Sequence, residues 1–215
     1  EGSVALITYM RTDSTRIADE ALTACRDHIK TKYGDAYLPD APVRYAASKD
    51  AQGAHEAIRP TDLSYTPDRV AKSLNQEQLK LYSLIYHRFV ACQMKPAVFA
   101  VTNVEVSAAK GVFKAQGKTM KFEGYRKEWH PAGKQEDVLL PALREREDLN
   151  LLELRPTQHF TEPPPRYNEA SLVKTLEKEG IGRPSTYASI IRTIQERGYV
   201  DQRERRFFAT EIGMK

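Results

Sequence analysis

The run Glu179-Gly180-Ile181-Gly182-Arg183-Pro184-Ser185-Thr186-Tyr187 decides how the last third of this 215-residue chain is read. Gly180 is a helix stop, Ile181 to Pro184 is a tight connection, and Ser185 is predicted to cap a new helix. Working outward, Asn168 caps the preceding helix, whose apolar face is Leu172, Val173 and Leu176. Tyr187, Ile190, Ile191 and Ile194 recur at helical spacing on the far side, and Gly198 follows their end. Tyr199-Val200 and Phe207-Phe208 then flank a charged turn from Asp201 to Arg206, the pattern of a β-hairpin. Helix, turn, helix, hairpin is the order of a winged helix-turn-helix. Residues 166–215 carry ten Lys or Arg against seven Asp or Glu. Arg183 and Ser185 stand at a helix start, where free N–H groups and the dipole favour phosphate. On pattern alone, DNA binding and a solvated protein-contact face are equally good readings.

The rest of the chain has two other textures. Residues 1–95 are predicted to be mainly helical with loops. Val4 to Tyr9 is a short β-prone run. Ile17, Ala21, Cys25, His28 and Ile29 mark a helix, with Asp13 or Ser14 as its cap and Gly34 as its stop. Pro39 to Pro67 reads as loop. Asn75 opens a second helix with Leu79, Tyr82, Ile85, Tyr86, Phe89 and Val90 on one stripe, and Pro96 follows it. Residues 96–165 change period. Phe99, Val101, Val104 and Val106 alternate with polar residues, Gly111, Gly117 and Gly124 punctuate further segments, and Leu149–Leu154 is a strand candidate. Pro163-Pro164-Pro165 marks a boundary. The expected class is therefore α+β with several domains.

Composition narrows the function. Hydrophobic residues make up 40% and charged residues 29%, and the net charge is only +4, which excludes a histone-like binder. Cys25 and Cys92 are far apart with no C-x-x-C, so neither a disulfide scaffold nor a zinc ribbon is encoded. No apolar run approaches the roughly 18 residues of a membrane span, so no membrane partner is expected. The chain starts Glu1-Gly2-Ser3 without Met and is expected to be a piece of something larger. Two tempting motifs fail. Gly117-Lys118-Thr119 lacks the earlier glycine of a phosphate loop, because position 112 is Val. His55-Glu56 lacks the second His of a zinc protease, because position 59 is Arg.

The segment Ile7-Thr8-Tyr9-Met10-Arg11-Thr12-Asp13-Ser14 is less ordinary. A phenol with a reference pKa of about 10 is a poor nucleophile in neutral water. A guanidinium nearby would stabilise the phenolate and clamp a phosphodiester. Arg11 lies two residues on, so an extended backbone would put both side chains on one side. A lone Tyr-x-Arg is still more often structural than catalytic.

Three blocks together outweigh that bland reading. Ile7 to Ser14 resembles the active-site segment of the type IA DNA topoisomerases, in the bacterial topoisomerase I branch. Gly53-Ala54-His55-Glu56-Ala57-Ile58-Arg59-Pro60-Thr61 resembles the family's second active-site block. Glu179 to Ser189, running on to Glu196-Arg197-Gly198-Tyr199-Val200, resembles its DNA-gripping helical block. The blocks stand in family order, and Leu81 to Met94 and Gln158 to Pro165 are similar text between them. The resemblance implies a toroid fragment: residues 1–95 from a lid domain, 96–165 from a β-rich arch, and 166–215 from a winged-helix-like DNA-binding domain.

What the resemblance implies residue by residue is specific. Tyr9 matches the nucleophile, which cleaves single-stranded DNA through a transient 5′-phosphotyrosine. Strand passage and religation then relax negatively supercoiled DNA without ATP. Arg11 matches the arginine at the scissile phosphate, and His55 a histidine near the cut, with Arg59 supporting that block. Arg183, Ser185, Thr186, Tyr187 and Arg197 match positions along the single-strand groove. Magnesium is implied for the parent enzyme, held by a preceding metal-binding domain; no Asp-x-Asp-x-Glu occurs here. The expected partner is DNA, the expected state a monomer, and the expected place the bacterial cytoplasm at the nucleoid. The chain alone is expected to bind DNA without cleaving it. The rival reading is a non-enzymatic winged-helix DNA-binding protein with a structural Tyr9.

Overall fold

The computed structural model describes residues 4–45, 55–130 and 138–215, so Gly53 and Ala54 of the second block lie outside the described residues. Two compact units divide the chain, Glu1–Asp148 and Leu149–Lys215.

In the first unit, α1 (Asp19–Tyr33) buries Leu22, Cys25 and Ile29, a helical three–four spacing. Its start differs from expectation. Ala18 is the N-cap and makes no side-chain cap bond. The Thr12 and Ser14 hydroxyls instead accept from Ser14 N and Arg16 N at 3.0 and 3.2 Å, folding the loop before the helix. Asp19 and Glu20 offset the missing cap by placing charge on the helix dipole. Gly34, at φ +88°, ends the helix as expected.

A one-turn helix α2 (Pro67–Val70) precedes α3 (Gln76–Cys92), which opens with a capping box between Asn75 and Gln78. Tyr82, Tyr86, Phe89 and Val90 of α3 meet Ile17, Leu22, Cys25 and Ile29 in the core. The two buried phenols fasten the loop before α2. Tyr82 donates to the Tyr65 carbonyl at 2.6 Å and Tyr86 to the Leu63 carbonyl at 3.0 Å. Gln93 is fully buried and exchanges two amide bonds with the Val43 backbone, at 2.9 and 3.1 Å.

Next come β1 (Val98–Ala108) and β2 (Gly111–Phe122), one long antiparallel hairpin closed by Ala109 and Lys110. Gly117 does not punctuate it. It sits within β2 opposite Thr102, where a Cβ would come 2.8 Å from Leu140 Cγ. Leu149–Leu154 forms no strand. Leu151 and Leu152 are 73% and 96% exposed. A strand needs a partner ladder, and none is beside this stretch among the described residues.

The hairpin is bolted to the helices at its root. The Glu128 carboxylate, 2% exposed, accepts from Lys32 Nζ at 3.1 Å, from the Tyr33 hydroxyl, and contacts His87 Nδ1 at 2.8 Å. Since Lys32 and Tyr33 already hold that carboxylate, His87 does not gain a full counter-charge. Burial first, and Lys32 second, hold its ring below the ordinary imidazole range, and the same two causes depress His28. The unfolded chain therefore binds more protons as pH falls through about 6.5, and stability drops with it. The urea midpoint should fall between pH 7 and pH 5, and a His28→Gln, His87→Gln double variant should flatten that slope. An equally steep slope in the double variant would assign the pH dependence elsewhere.

The second unit follows its predicted order. Asn168 and Ser171 form a capping box for α4 (Glu169–Lys178). Gly180 and Gly182 turn the chain at φ +70° and +80°. A Cβ on Gly182 would press on Ile190 Cδ1 at 2.8 Å, and it is the positive φ that calls for glycine in the tight connection. The cap of α5 (Tyr187–Glu196) differs from expectation. Thr186, not Ser185, holds the N-cap position, and its hydroxyl accepts from Arg183 N at 2.8 Å instead of capping the helix. Strands β3 (Val200–Arg203) and β4 (Arg206–Ala209) close the unit, with Ile191 and Phe207 buried. The architecture is thus mixed α and β. Among the described residues no helix is long and apolar enough to cross a membrane.

Candidate active site

Two segments about fifty residues apart are stitched together around Tyr9. Ile7 and Pro60 form an antiparallel bridge. Thr8 N donates to Arg59 O at 2.9 Å, and Thr61 N to Leu6 O at 3.1 Å. The Thr8 hydroxyl donates to Ala57 O at 2.8 Å and accepts from Arg59 N at 3.0 Å. Ala57 N reaches Arg16 O at 2.8 Å, and Thr61 Oγ1 donates to Ala5 O at 2.6 Å. A short β-prone run thus becomes a rigid backbone stub that delivers the next residue into solvent.

That residue is Tyr9, 63% exposed. Its ring lies 6.0 Å from the His55 ring, tilted by 53°. The backbone bends at Met10 and Arg11, so the same-side argument from an extended segment does not apply. Arg11 is exposed, and among the described residues no acid pairs with it. Arg59 is different. Its Nε and Nη2 hold Glu56 Oε2 at 3.0 and 2.8 Å, and its Nη1 donates to Pro60 O at 3.0 Å. Arg16 Nη2 stands 3.8 Å from the other Glu56 oxygen. Arg59 therefore stiffens the second block from within. Sequence reasoning missed Thr8 and Glu56. The signal for Glu56 was an acid three residues before an arginine; Thr8 gave none beyond adjacency to Tyr9.

Three other nucleophile candidates are closed off. Burial pushes the Cys25 thiol far above its ordinary range and raises Cys92 as well, so both stay protonated. Burial also takes the Tyr86 phenol up to about 12. Among the described residues no three His, Cys, Asp or Glu side chains converge as a metal site would require.

The second group lies in the second unit. Arg183 is exposed, and its Nη1 donates to Gly182 O at 2.8 Å. Ser185 and Thr186 are exposed at the turn into α5. Tyr187, half-buried, lines an open cleft of about 830 Å³ between α4 and α5 with Val173, Pro184 and Ile191. Arg197 is exposed just past the end of α5. Arg183 and Arg197 therefore flank a helix roughly 15 Å long.

Comparison with known proteins adds the following. The family model described as DNA topoisomerase matches residues 3–215. DNA topoisomerase 1 of Vibrio cholerae is 53% identical over 207 residues, covering 96% of this chain and 24% of that protein. DNA topoisomerase 1 of Escherichia coli is 49% identical over 208 residues, with the same coverage of 96% and 24%. The chain thus spans about a quarter of the length of these relatives. The solved structure of full-length topoisomerase I from Thermotoga maritima superposes with a TM-score of 0.72 at 36% identity, covering 98% of this chain and 34% of that one.

Proposed function

The chain belongs to the type IA DNA topoisomerase family, and from that premise we propose that it carries the nucleophile and part of the strand-gripping surface of a topoisomerase. The rival reading, a winged-helix protein without catalysis, is not favoured, because the match runs through the Tyr9 and His55 blocks as well as the helical one. The single observation that carries the proposal is an exposed Tyr9 beside His55 on two stitched segments.

The reaction is a transesterification. The Tyr9 phenolate oxygen attacks a phosphodiester phosphorus of single-stranded DNA, a P–O bond to tyrosine forms, and the P–O3′ bond breaks. The 3′ oxygen takes up a proton, and the 5′ phosphate stays on Tyr9. The reverse attack by the 3′ hydroxyl reseals the strand, so no nucleotide is consumed. Positioning and charge stabilisation supply most of the rate in such a transfer. Arg11 is the unpaired cation placed to meet the phosphate charge, and His55 orients the same phosphate region. Arg59 acts through the second block's geometry. Arg183, Ser185, Thr186, Tyr187 and Arg197 lead the strand along α5 by phosphate contacts and base stacking. Because the described residues do not fit a metal, no step here passes through magnesium; the family's magnesium would enter with a separate metal-binding domain.

In this reading residues 1–95 act as the lid, 96–165 as the arch and 166–215 as the DNA-binding domain. The protein acts as a monomer in the bacterial cytoplasm, on negatively supercoiled DNA. The test mixes the chain with a separately made metal-binding domain of a relative, magnesium and 3′-labelled single-stranded oligonucleotide, then quenches with detergent. A covalent adduct mapped by mass spectrometry to Tyr9 through a 5′ phosphate is expected. An adduct on another residue, or through a 3′ phosphate, would overturn the proposal.

A further inference from the structure

Tyr9 leaves the stitched segments from a residue that is fastened three ways. Thr8 is half-buried, while Tyr9 and Met10 after it are 63% and 64% exposed. The Thr8 N–H donates to Arg59 O at 2.9 Å. Its hydroxyl donates to Ala57 O at 2.8 Å and accepts from Arg59 N at 3.0 Å. The hydroxyl thus spends its one proton and a lone pair on the same short stretch of the second block. Ala57 stands two residues after His55, whose ring faces Tyr9 at 6.0 Å. One side chain therefore links the neighbour of the phenol to the backbone that carries its ring partner.

Beyond Thr8 the hold ends. Among the described residues no backbone hydrogen bond engages Tyr9, Met10 or Arg11, and the chain bends at Met10 and Arg11. Hydrogen bonds resume in the loop at Thr12, Ser14 and Arg16. Tyr9 is thus a lever hinged at Thr8. A phenol oxygen stands roughly 6 Å from its own Cα, so a tilt of about 10° at the hinge swings it by about 1 Å. A misplacement of that size at a reacting atom costs about 100-fold in rate. The branched Cβ of threonine restricts χ1, which keeps the hydroxyl aimed at both of its partners.

The geometry points to Thr8 as the positioning residue that aims the Tyr9 oxygen at a phosphate beside His55. This rests on the reading of Tyr9 as the nucleophile. Thr8 touches neither the DNA nor the reacting atoms in this role; it acts through the residue it precedes. A hydroxyl that only added stability would make a different forecast, because its loss would weaken fold, DNA affinity and rate together.

The test compares wild type with Thr8→Val and Thr8→Ser. Valine keeps the branched shape and loses both hydroxyl bonds, whereas serine keeps the hydroxyl. Tyr82→Phe is the stability control, since it deletes a 2.6 Å bond to the Tyr65 carbonyl in the helical core. Each protein is mixed with the same metal-binding domain and magnesium. The rate of Tyr9 adduct formation is measured at saturating oligonucleotide, beside the Kd for that oligonucleotide. Thr8→Val should lose about 100-fold in rate while its Kd moves by less than about twofold. Thr8→Ser and Tyr82→Phe should both stay within about threefold of the wild-type rate. A wild-type rate in Thr8→Val, or a loss shared by its Kd or by Tyr82→Phe, would overturn the inference. A second readout needs no chemistry. In the DNA-free chain, proton cross-relaxation between the Tyr9 and His55 rings should persist in Thr8→Ser and vanish in Thr8→Val, and its persistence in Thr8→Val would equally overturn it. If wild type forms no Tyr9 adduct, the proposed function fails on its own account, and the ring contact then decides whether Thr8 aims Tyr9.

Discussion

Replacing Tyr9 with Phe should reduce covalent capture of DNA by about 10⁴-fold or more while leaving the fold untouched. The size follows from chemistry: without the phenolic oxygen no phosphoester forms, and what remains is binding. The fold should survive because Tyr9 is 63% exposed, and an exposed change of this kind stays within about 0.5 kcal/mol. Phe also keeps the ring that faces His55 at 6.0 Å. Among the other exposed phenols, Tyr45 is a poor substitute. Tyr45 donates its hydroxyl to the Cys92 carbonyl at 3.0 Å, and burial raises its pKa. The check pairs the trapped-adduct assay with a melting curve of each variant. Adduct at wild-type yield in the Phe variant would remove Tyr9 from the chemistry. A shared loss of adduct and of melting temperature would reduce Tyr9 to a structural residue.

A large loss of stability should come from Gly124→Ala. Gly124 sits at the hairpin root with φ +52°, and an added Cβ would lie 2.4 Å from both the carbonyl carbon and oxygen of Pro96. Those are backbone atoms, and they cannot step aside cheaply. The next residue, Tyr125, donates its N–H to Lys95 O at 2.8 Å, and Lys95 N donates to Tyr37 O at 2.8 Å, so the approach is locked from both sides. Left-handed strain of about 1 kcal/mol and an unrelieved clash sum to about 3 kcal/mol or more. Gly198 supplies the control. Its φ is +66°, in the left-handed region, but nothing lies within 4 Å of its would-be Cβ. Gly198→Ala should cost only about 1 kcal/mol. Chemical denaturation of both variants checks this, and equal losses would mean that the Pro96 approach is unimportant.

Much of this was legible in the residues, for identifiable reasons. Asn75 and Asn168 each cap a helix because Gln78 and Ser171 complete their boxes three residues on, a local signal. Gly34, Gly180 and Gly198 follow helix ends at positive φ, again locally encoded. The misreadings are where the decisive partner is distant or absent. Asp13 and Ser14 look like caps, but their loop closes on itself and the helix starts later. Leu149–Leu154 has the composition of a strand, yet composition cannot supply a neighbouring ladder. Gly117 looks like a turn until Leu140 is placed over it. At the proposed site, Tyr9 and His55 were singled out through extended motifs. The engagement of Arg59 by Glu56 was not, because an ion pair depends on side-chain direction that spacing alone leaves open.

The stitching between residues 5–16 and 57–61 has a kinetic side. Its side-chain bonds from Thr8 and Thr61 join residues 49, 51 and 56 positions apart. Bringing such ends together costs about 3 kcal/mol of loop entropy before the first bond repays it. Neither segment rides on a helix that could form first and carry it into place. The helices α1 and α3, rich in local contacts, can assemble early, whereas Tyr9 is set only when the two motifs, about fifty residues apart, have met. Tyr9 should therefore reach its exposed position late as the chain folds, and lose it early whenever the bridge at Ile7 and Pro60 opens.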